Sequence, residues 1–208
     1  MILTTSKTIF AIEKIMSVFK VIFELTKFRL SLLVSFSAIF GFILATDNII
    51  FFDLLVLGIS GYFVTAASVI NNQIIEKDLD SKMDRTKDRP LPTNRISKRN
   101  SLITSVFFMV IGLTIMTLYF NMVAGLLSLV SLFLYTFIYT PLKRIGPIAV
   151  FVGAIPGALP PLIGWVAFYG EITMEAIIIF SIQFIWQFPH FWAIAWIYHD
   201  DYLSLIHI

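Results

Sequence analysis

Asn72, Glu76, Asp80 and Asp84 recur at every fourth position in the stretch NNQIIEKDLDSKMDRTKDRP, which runs from Asn71 to Pro90. If the stretch is helical, these four oxygen-bearing side chains share one face. Acids at this spacing repel each other by about 0.2–0.5 kcal/mol per pair, so the arrangement is unfavourable unless a cation sits among them. Mg2+ suits such a stripe: it prefers oxygen, keeps some water, and is typically held by one or two carboxylates together with phosphate oxygens of a substrate. The spacing therefore predicts a metal–diphosphate seat in which Asn72, Glu76, Asp80 and Asp84 are both the metal ligands and the catalytic groups. Arg85, Lys87 and Arg89 follow at once and supply charge for phosphate oxygens that the metal leaves uncovered. The competing reading is a solvated juxtamembrane helix in which pairs such as Asp78 and Lys82 balance charge. The regular spacing, the adjoining apolar run and the basic arm together favour the seat.

A second polar set lies near the end of the chain. Gln183, Gln187 and His190 are spaced four and three apart, which places them on one face of an otherwise apolar helix. Such groups are costly in hydrocarbon and are expected to face the interior of a bundle. A lone histidine in a membrane span is more often hydrogen-bonded to a neighbouring helix than bound to a ligand, so His190 by itself indicates little. Trp186, Phe188, Phe191, Trp192 and Trp196 either line a wide apolar pocket or anchor the helix at the interface. Asp200 and Asp201 follow, and are expected to emerge on the same side of the membrane as the first stripe.

The elements that position these residues are membrane helices. Of the 208 residues 58% are apolar and only 13% charged, with a mean hydropathy of +0.89, which no soluble domain of this size carries without aggregating. Apolar runs predict six spans, at Leu30–Thr46, Leu54–Ile70, Ser101–Phe120, Met122–Tyr139, Pro147–Phe168 and Met174–Ile197. All 15 Lys and Arg residues fall in alternate connections: five before the first span, eight from Lys77 to Arg99, and the pair Lys143 and Arg144. Lys and Arg resist translocation, so both termini and the 71–100 segment are expected to be cytoplasmic. The resulting basic face favours anionic headgroups or a phosphorylated substrate over nucleic acid, and Lys143 and Arg144 count among its candidate substrate-binding residues. The absence of cysteine excludes disulfides, thiolate metal sites and covalent haem attachment. Residues before Arg29 lack the core and cleavage site of a signal peptide and read as an interfacial amphipathic helix. Gly153, Pro156, Gly157, Pro160, Pro161 and Gly164 are expected to kink or interrupt the fifth span beside a cavity, or else to permit close helix packing. The fold class is a single all-α domain, a polytopic transmembrane bundle.

With these features in place, the chain resembles the UbiA superfamily of intramembrane prenyltransferases. Within it, the strings NNQIIEKDLDSKMDRTKDRPLP, YTPLKR, GAIPGALPPLIGW and WQFPHFWAIAW resemble the haem O synthase (protohaem IX farnesyltransferase) family from about Leu25 to Tyr202. The resemblance implies transfer of farnesyl from farnesyl diphosphate to a vinyl group of haem b, with water added, at an inner-membrane site dependent on Mg2+. It places the first metal–diphosphate motif on Asn72, Glu76, Asp80 and Asp84, the basic run on Arg85, Lys87 and Arg89, and the second region more loosely on His190, Asp200 and Asp201. Gln187 and His190 are candidate haem contacts, and haem A synthase or terminal-oxidase assembly factors are candidate partners. Rival readings are a related enzyme with an aromatic-acid or quinone-precursor acceptor, against which WQFPHFW argues, and a transporter or non-catalytic scaffold. A transporter is expected to hold its polar groups at the bilayer midplane rather than at span ends. The resemblance also implies nine helices where this sequence supplies about six, and residues 203–208 do not match it. The expectation is a UbiA-type domain over 1–202, truncated before an unrelated tail and of low activity by itself.

Overall fold

The computed structural model describes residues 2–197, which form eight helices. Helix α1 spans Ile2–Leu25, α2 Phe28–Ala45 and α3 Phe51–Asp80. Helix α4, Lys98–Ile115, runs into a π-helical turn at Met116–Phe120; α5, Met122–Phe133, passes through a second π-helical turn, Leu134–Tyr139, into the short α6, Thr140–Leu142. Helices α7, Ile148–Tyr169, and α8, Met174–Ile197, complete the order. Six of these segments are long and apolar enough to cross a membrane, as the hydropathy pattern predicts, and the chain is a multi-pass membrane protein. Their outer faces carry exposed Phe36, Phe40, Leu102, Phe107 and Leu126, the surface that a lipid solvent accepts. Asp200, Asp201 and the 203–208 tail lie outside the described residues.

Helix α3 has 30 residues, about 45 Å at 1.5 Å per residue against a hydrocarbon thickness of roughly 30 Å. It therefore projects from the bilayer at one end, and Asn72–Asp80 is the projecting part. The helix stops at Asp80, where Ser81 forms its C-cap, and residues 81–97 fold through successive turns. The expectation that the helical stripe continues to Asp84 is thus corrected: Asp84 lies one turn beyond the end of the helix. The turns are held by Thr86, whose buried hydroxyl donates to the Asp80 carbonyl at 2.8 Å, and by Leu91, which is fully buried with Leu25 and Ile70. Ser97 accepts from the Asn100 amide at 3.1 Å and starts α4.

Helix α7 is the most buried span, and it is continuous through Pro156, Pro160 and Pro161 rather than interrupted. Proline removes the donor that would reach the carbonyl four residues earlier. At Pro161 that carbonyl belongs to Gly157, and the Gln187 side-chain amide donates to it from α8 at 3.0 Å. The small residues of α7 work through close packing. A Cβ on Gly164 would overlap the Ala38 carbonyl of α2, and one on Gly41 of α2 would overlap the Pro161 carbonyl. Asn121 caps α5 by accepting from the Ala124 amide at 2.8 Å, and donates to the carbonyls of Val166 at 2.8 Å and Ala167 at 3.1 Å. Below this, Phe42, Leu57, Met116, Leu159, Leu162, Ile163 and Val166 fill the main apolar core.

Because the α2–α7 contact is backbone to backbone, Gly164→Leu is expected to force the helices apart and cost about 2 kcal/mol or more. The check is the thermal midpoint of the detergent-solubilised protein; a midpoint unchanged from wild type would contradict the packing described.

Candidate diphosphate site

Asn72, Glu76 and Asp80 lie on one face of the last two turns of α3, as their spacing predicts. The Asn72 side-chain amide donates to a Glu76 carboxylate oxygen at 2.9 Å and to the Thr140 hydroxyl at 3.0 Å, which ties the stripe to α6. Both acids carry a cation. One guanidinium nitrogen of Arg89 reaches the two Asp80 oxygens at 2.7 and 2.8 Å, with the Asp80 side chain only 5% exposed. Lys143 donates to Glu76 at 2.7 Å and lies 5.0 Å from the centre of the Tyr139 ring. The turns of 81–97 explain why Arg89 is the basic residue that arrives: Pro90 and Leu91 are buried behind it and hold it over the end of α3.

The other basic candidates lie further out. Lys87 pairs with Asp84 at 2.6 Å, with the Asp84 side chain 90% exposed, so this pair lies on the surface beyond the end of the helix. Lys87 beside it holds the Asp84 carboxyl below the usual carboxylate range. Arg85 is on the same exposed turn. Arg144 donates to the Ile75 carbonyl at 3.2 Å at the rim.

Lys27 is a residue that spacing could not reveal. It occupies the α1–α2 turn in the left-handed conformation, φ 44°, which is unfavourable for a side chain with a Cβ and persists only where the surroundings impose it. They do so here. Gln73 donates to the Leu25 carbonyl at 2.6 Å, Ser31 to the Thr26 carbonyl at 2.7 Å, and Tyr62 to the Thr26 hydroxyl at 2.9 Å. Burial depresses the Lys27 ammonium to about 8, with the positive charges of Arg89 and Lys143 adding to the effect and Asp80 and Glu76 opposing it. Lys27 therefore stands within the field of both ion pairs. In the sequence Lys27 counts only as one of the five basic residues before the first span.

Beneath the site opens a chamber of about 430 Å³, lined by α2, α3, α5, α7 and α8 and open on one side. The π-helical turn at 134–139 brings Tyr135 and Tyr139 to its wall, their rings 5.4 Å apart. Gln183, Gln187 and His190 line it from α8, and the His190 ring lies edge-on to Trp186 at 5.4 Å. Trp192 and Trp196 are instead 80% and 86% exposed, away from the chamber.

Residues 34–206 match the UbiA prenyltransferase family. The chain belongs to that family. It is 49% identical over 187 residues to a protoheme IX farnesyltransferase of Cytophaga hutchinsonii, covering 89% of this chain and 65% of the relative. It is 45% identical over 203 residues to the protein of that name from Flavobacterium johnsoniae, covering 96% and 66%. A third, from Christiangramia forsetii, is 48% identical and covers 86% and 59%. The chain thus spans roughly three-fifths to two-thirds of the length of the curated relatives it matches. Among solved structures, a digeranylgeranylglyceryl phosphate synthase superposes with a TM-score of 0.71 at 22% identity, over 80% of this chain and 58% of that one. A UbiA homolog from Archaeoglobus fulgidus bound to DMAPP and Mg2+ gives 0.63 at 20% identity, over 78% and 58%. These likenesses show the UbiA-type fold.

Among the described residues no three His, Cys, Asp or Glu side chains converge on one point. The chemistry of the donor set still fits a magnesium ion that arrives with a diphosphate, since one amide and two carboxylates are at hand and phosphate oxygens complete an oxygen shell. Arg89 and Lys143 neutralise the two carboxylates in the structure.

Diphosphate binding at this site is expected to depend on pH through Lys27. A bound diphosphate favours its protonated form and raises its pKa, so affinity is full below about pH 8 and declines as the pH rises above it. Calorimetric titration of solubilised protein with a prenyl diphosphate at pH 7 and pH 9 is expected to show this decline. Lys27→Arg should abolish it; the same decline in that variant would rule out Lys27 as its source.

Proposed function

We propose that the chain is the donor-binding portion of a protohaem IX farnesyltransferase, which moves farnesyl from farnesyl diphosphate to a vinyl group of haem b to give haem O and diphosphate. The observation that carries this reading is the juxtaposition of two opposites. The Asn72, Glu76 and Asp80 face, ringed by Arg89, Lys143 and Lys27, sits directly above a chamber lined by Tyr135, Tyr139, Pro156 and Ile163. A diphosphate headed by an apolar chain has that polarity. The names of the similar proteins support the choice of farnesyl and haem.

Asn72, Glu76 and Asp80 would hold the metal, whose part is to draw charge from the departing diphosphate. On arrival of the diphosphate, Arg89 and Lys143 exchange a carboxylate partner for phosphate oxygens, so that they meet charge where it develops as the C1–O bond breaks. Arg85, Lys87 and Arg144 add a screened positive field at the rim. Tyr135, Tyr139 and Phe191 keep bulk water from C1 until the terminal vinyl carbon bonds to it. Water then adds to the adjoining carbon of the acceptor and releases its proton, which balances haem b, farnesyl diphosphate and water against haem O, diphosphate and a proton. Gln187 has a structural task at Gly157, and the His190 ring, which lines the same wall, is the better placed of the two to meet the acceptor. The distribution of Lys and Arg supports placing the diphosphate site on the cytoplasmic side of the inner membrane.

Asp80→Asn removes the charge that pairs with Arg89 and one of the two carboxylates of the stripe. In cells lacking their own synthase and expressing the gene for this chain, haem O measured by mass in extracts is expected to fall at least about a hundredfold, with membrane insertion intact. Undiminished haem O in that variant would count decisively against the reading.

A further inference from the structure

The chamber has a floor. On α3 its lining runs from the diphosphate end through Val69, Ser68 and Thr65 to Gly61 and no further, and on α7 it ends at Ile163. Met116 closes it from the π-helical turn after α4. Met116 is 2% and Ile163 5% exposed, and both belong to the main apolar core that fills the bundle beyond. The chamber is therefore blind at the end opposite the diphosphate site.

We propose that Met116 and Ile163 are specificity-determining residues, a stop that limits the donor to three isoprene units. The inference rests on the donor reading above and deepens it. From Asn72 to Gly61 is eleven residues, about 16 Å along α3. An extended farnesyl chain measures roughly 14 Å from C1 to its last main-chain carbon, taking about 1.5 Å bonds at staggered tetrahedral angles. By the same measure a geranyl chain is roughly 9 Å and a geranylgeranyl chain roughly 19 Å. Farnesyl reaches the floor, geranyl leaves apolar wall uncovered, and geranylgeranyl runs into Met116.

Ser128 offers the opposite handle. It lines the chamber near the floor from α5, is 1% exposed, and its hydroxyl has no hydrogen-bond partner, so an apolar replacement removes no bond while filling space.

The test is binding of geranyl, farnesyl and geranylgeranyl diphosphates with Mg2+ to the solubilised protein expressed from its gene, alongside haem prenylation by the same preparations. Wild type is expected to bind farnesyl diphosphate about tenfold more tightly than either neighbour. Met116→Ala should shift the preference about tenfold towards geranylgeranyl, Ile163→Val should shift it in the same direction by less, and Ser128→Leu should shift it towards geranyl. Wild-type binding indifferent to chain length, or variants that keep the wild-type order, would overturn the stop even if haem O is made. Length-selective binding that shifts as stated, without any prenylated haem, would uphold the stop and overturn the acceptor instead. Should Met116→Ala fail to fold, Ile163→Val and Ser128→Leu decide the matter by themselves.

Discussion

A carboxylate at the edge of hydrocarbon needs a counter-charge, because desolvation without one costs several kcal/mol. Asp80 meets this constraint with Arg89, nine residues on, and the pairing requires the chain to turn back over the end of α3. The turn is held independently by Thr86 on the Asp80 carbonyl and by Leu91 in its apolar seat. Lys143 satisfies Glu76 from the far side, so the segment after α6 is drawn to the same point. The two ion pairs thus gather three parts of the chain around one stripe. They also leave the stripe in a form that can exchange partners, since each cation is suited to phosphate as well as to carboxylate.

The chamber depends on a different device. Backbone contact between α2 and α7 at Gly41 and Gly164 draws these helices together on the side away from the carboxylate stripe, where the apolar core is continuous. Towards the carboxylate stripe the wall of α7 is made of Pro156, Gly157 and Pro160, residues too small or too rigid to fill the space. The prolines leave backbone acceptors open within an apolar bundle, and Gln187 answers one of them. A polar group in a span is in this instance a repair to a neighbouring helix, although its position also puts it on the chamber wall.

Hydropathy and charge were sufficient for the spans and for the stripe. The predicted spans differ from the observed helices by a few residues at most ends, the main exception being α3, whose polar continuation to Asp80 hydropathy could not count. Lipid solvent makes this possible, since a run of some twenty apolar residues has few alternatives to a spanning helix. Asn72, Glu76 and Asp80 were equally legible, because helical period is a local property. Asp84 was misplaced by the same argument, which knows the period but not where the helix stops.

What the sequence by itself determined is therefore whatever repeats along one helix: six spans, their polar ends, and three oxygen donors on a common face. Tertiary structure decided which cations reach those donors and how deep the chamber is. Arg89 rather than Lys87 arrives because Pro90 and Leu91 are buried behind it. Lys27 arrives through a left-handed turn imposed by Gln73, Ser31 and Tyr62, and Met116 reaches the floor from another helix through a π-helical turn. Arg89 is only nine residues from Asp80, but the turn that brings it there is seated on Leu25 and Ile70 through Leu91, and the other two contacts join separate helices, so all three follow from packing that no local pattern of residues encodes.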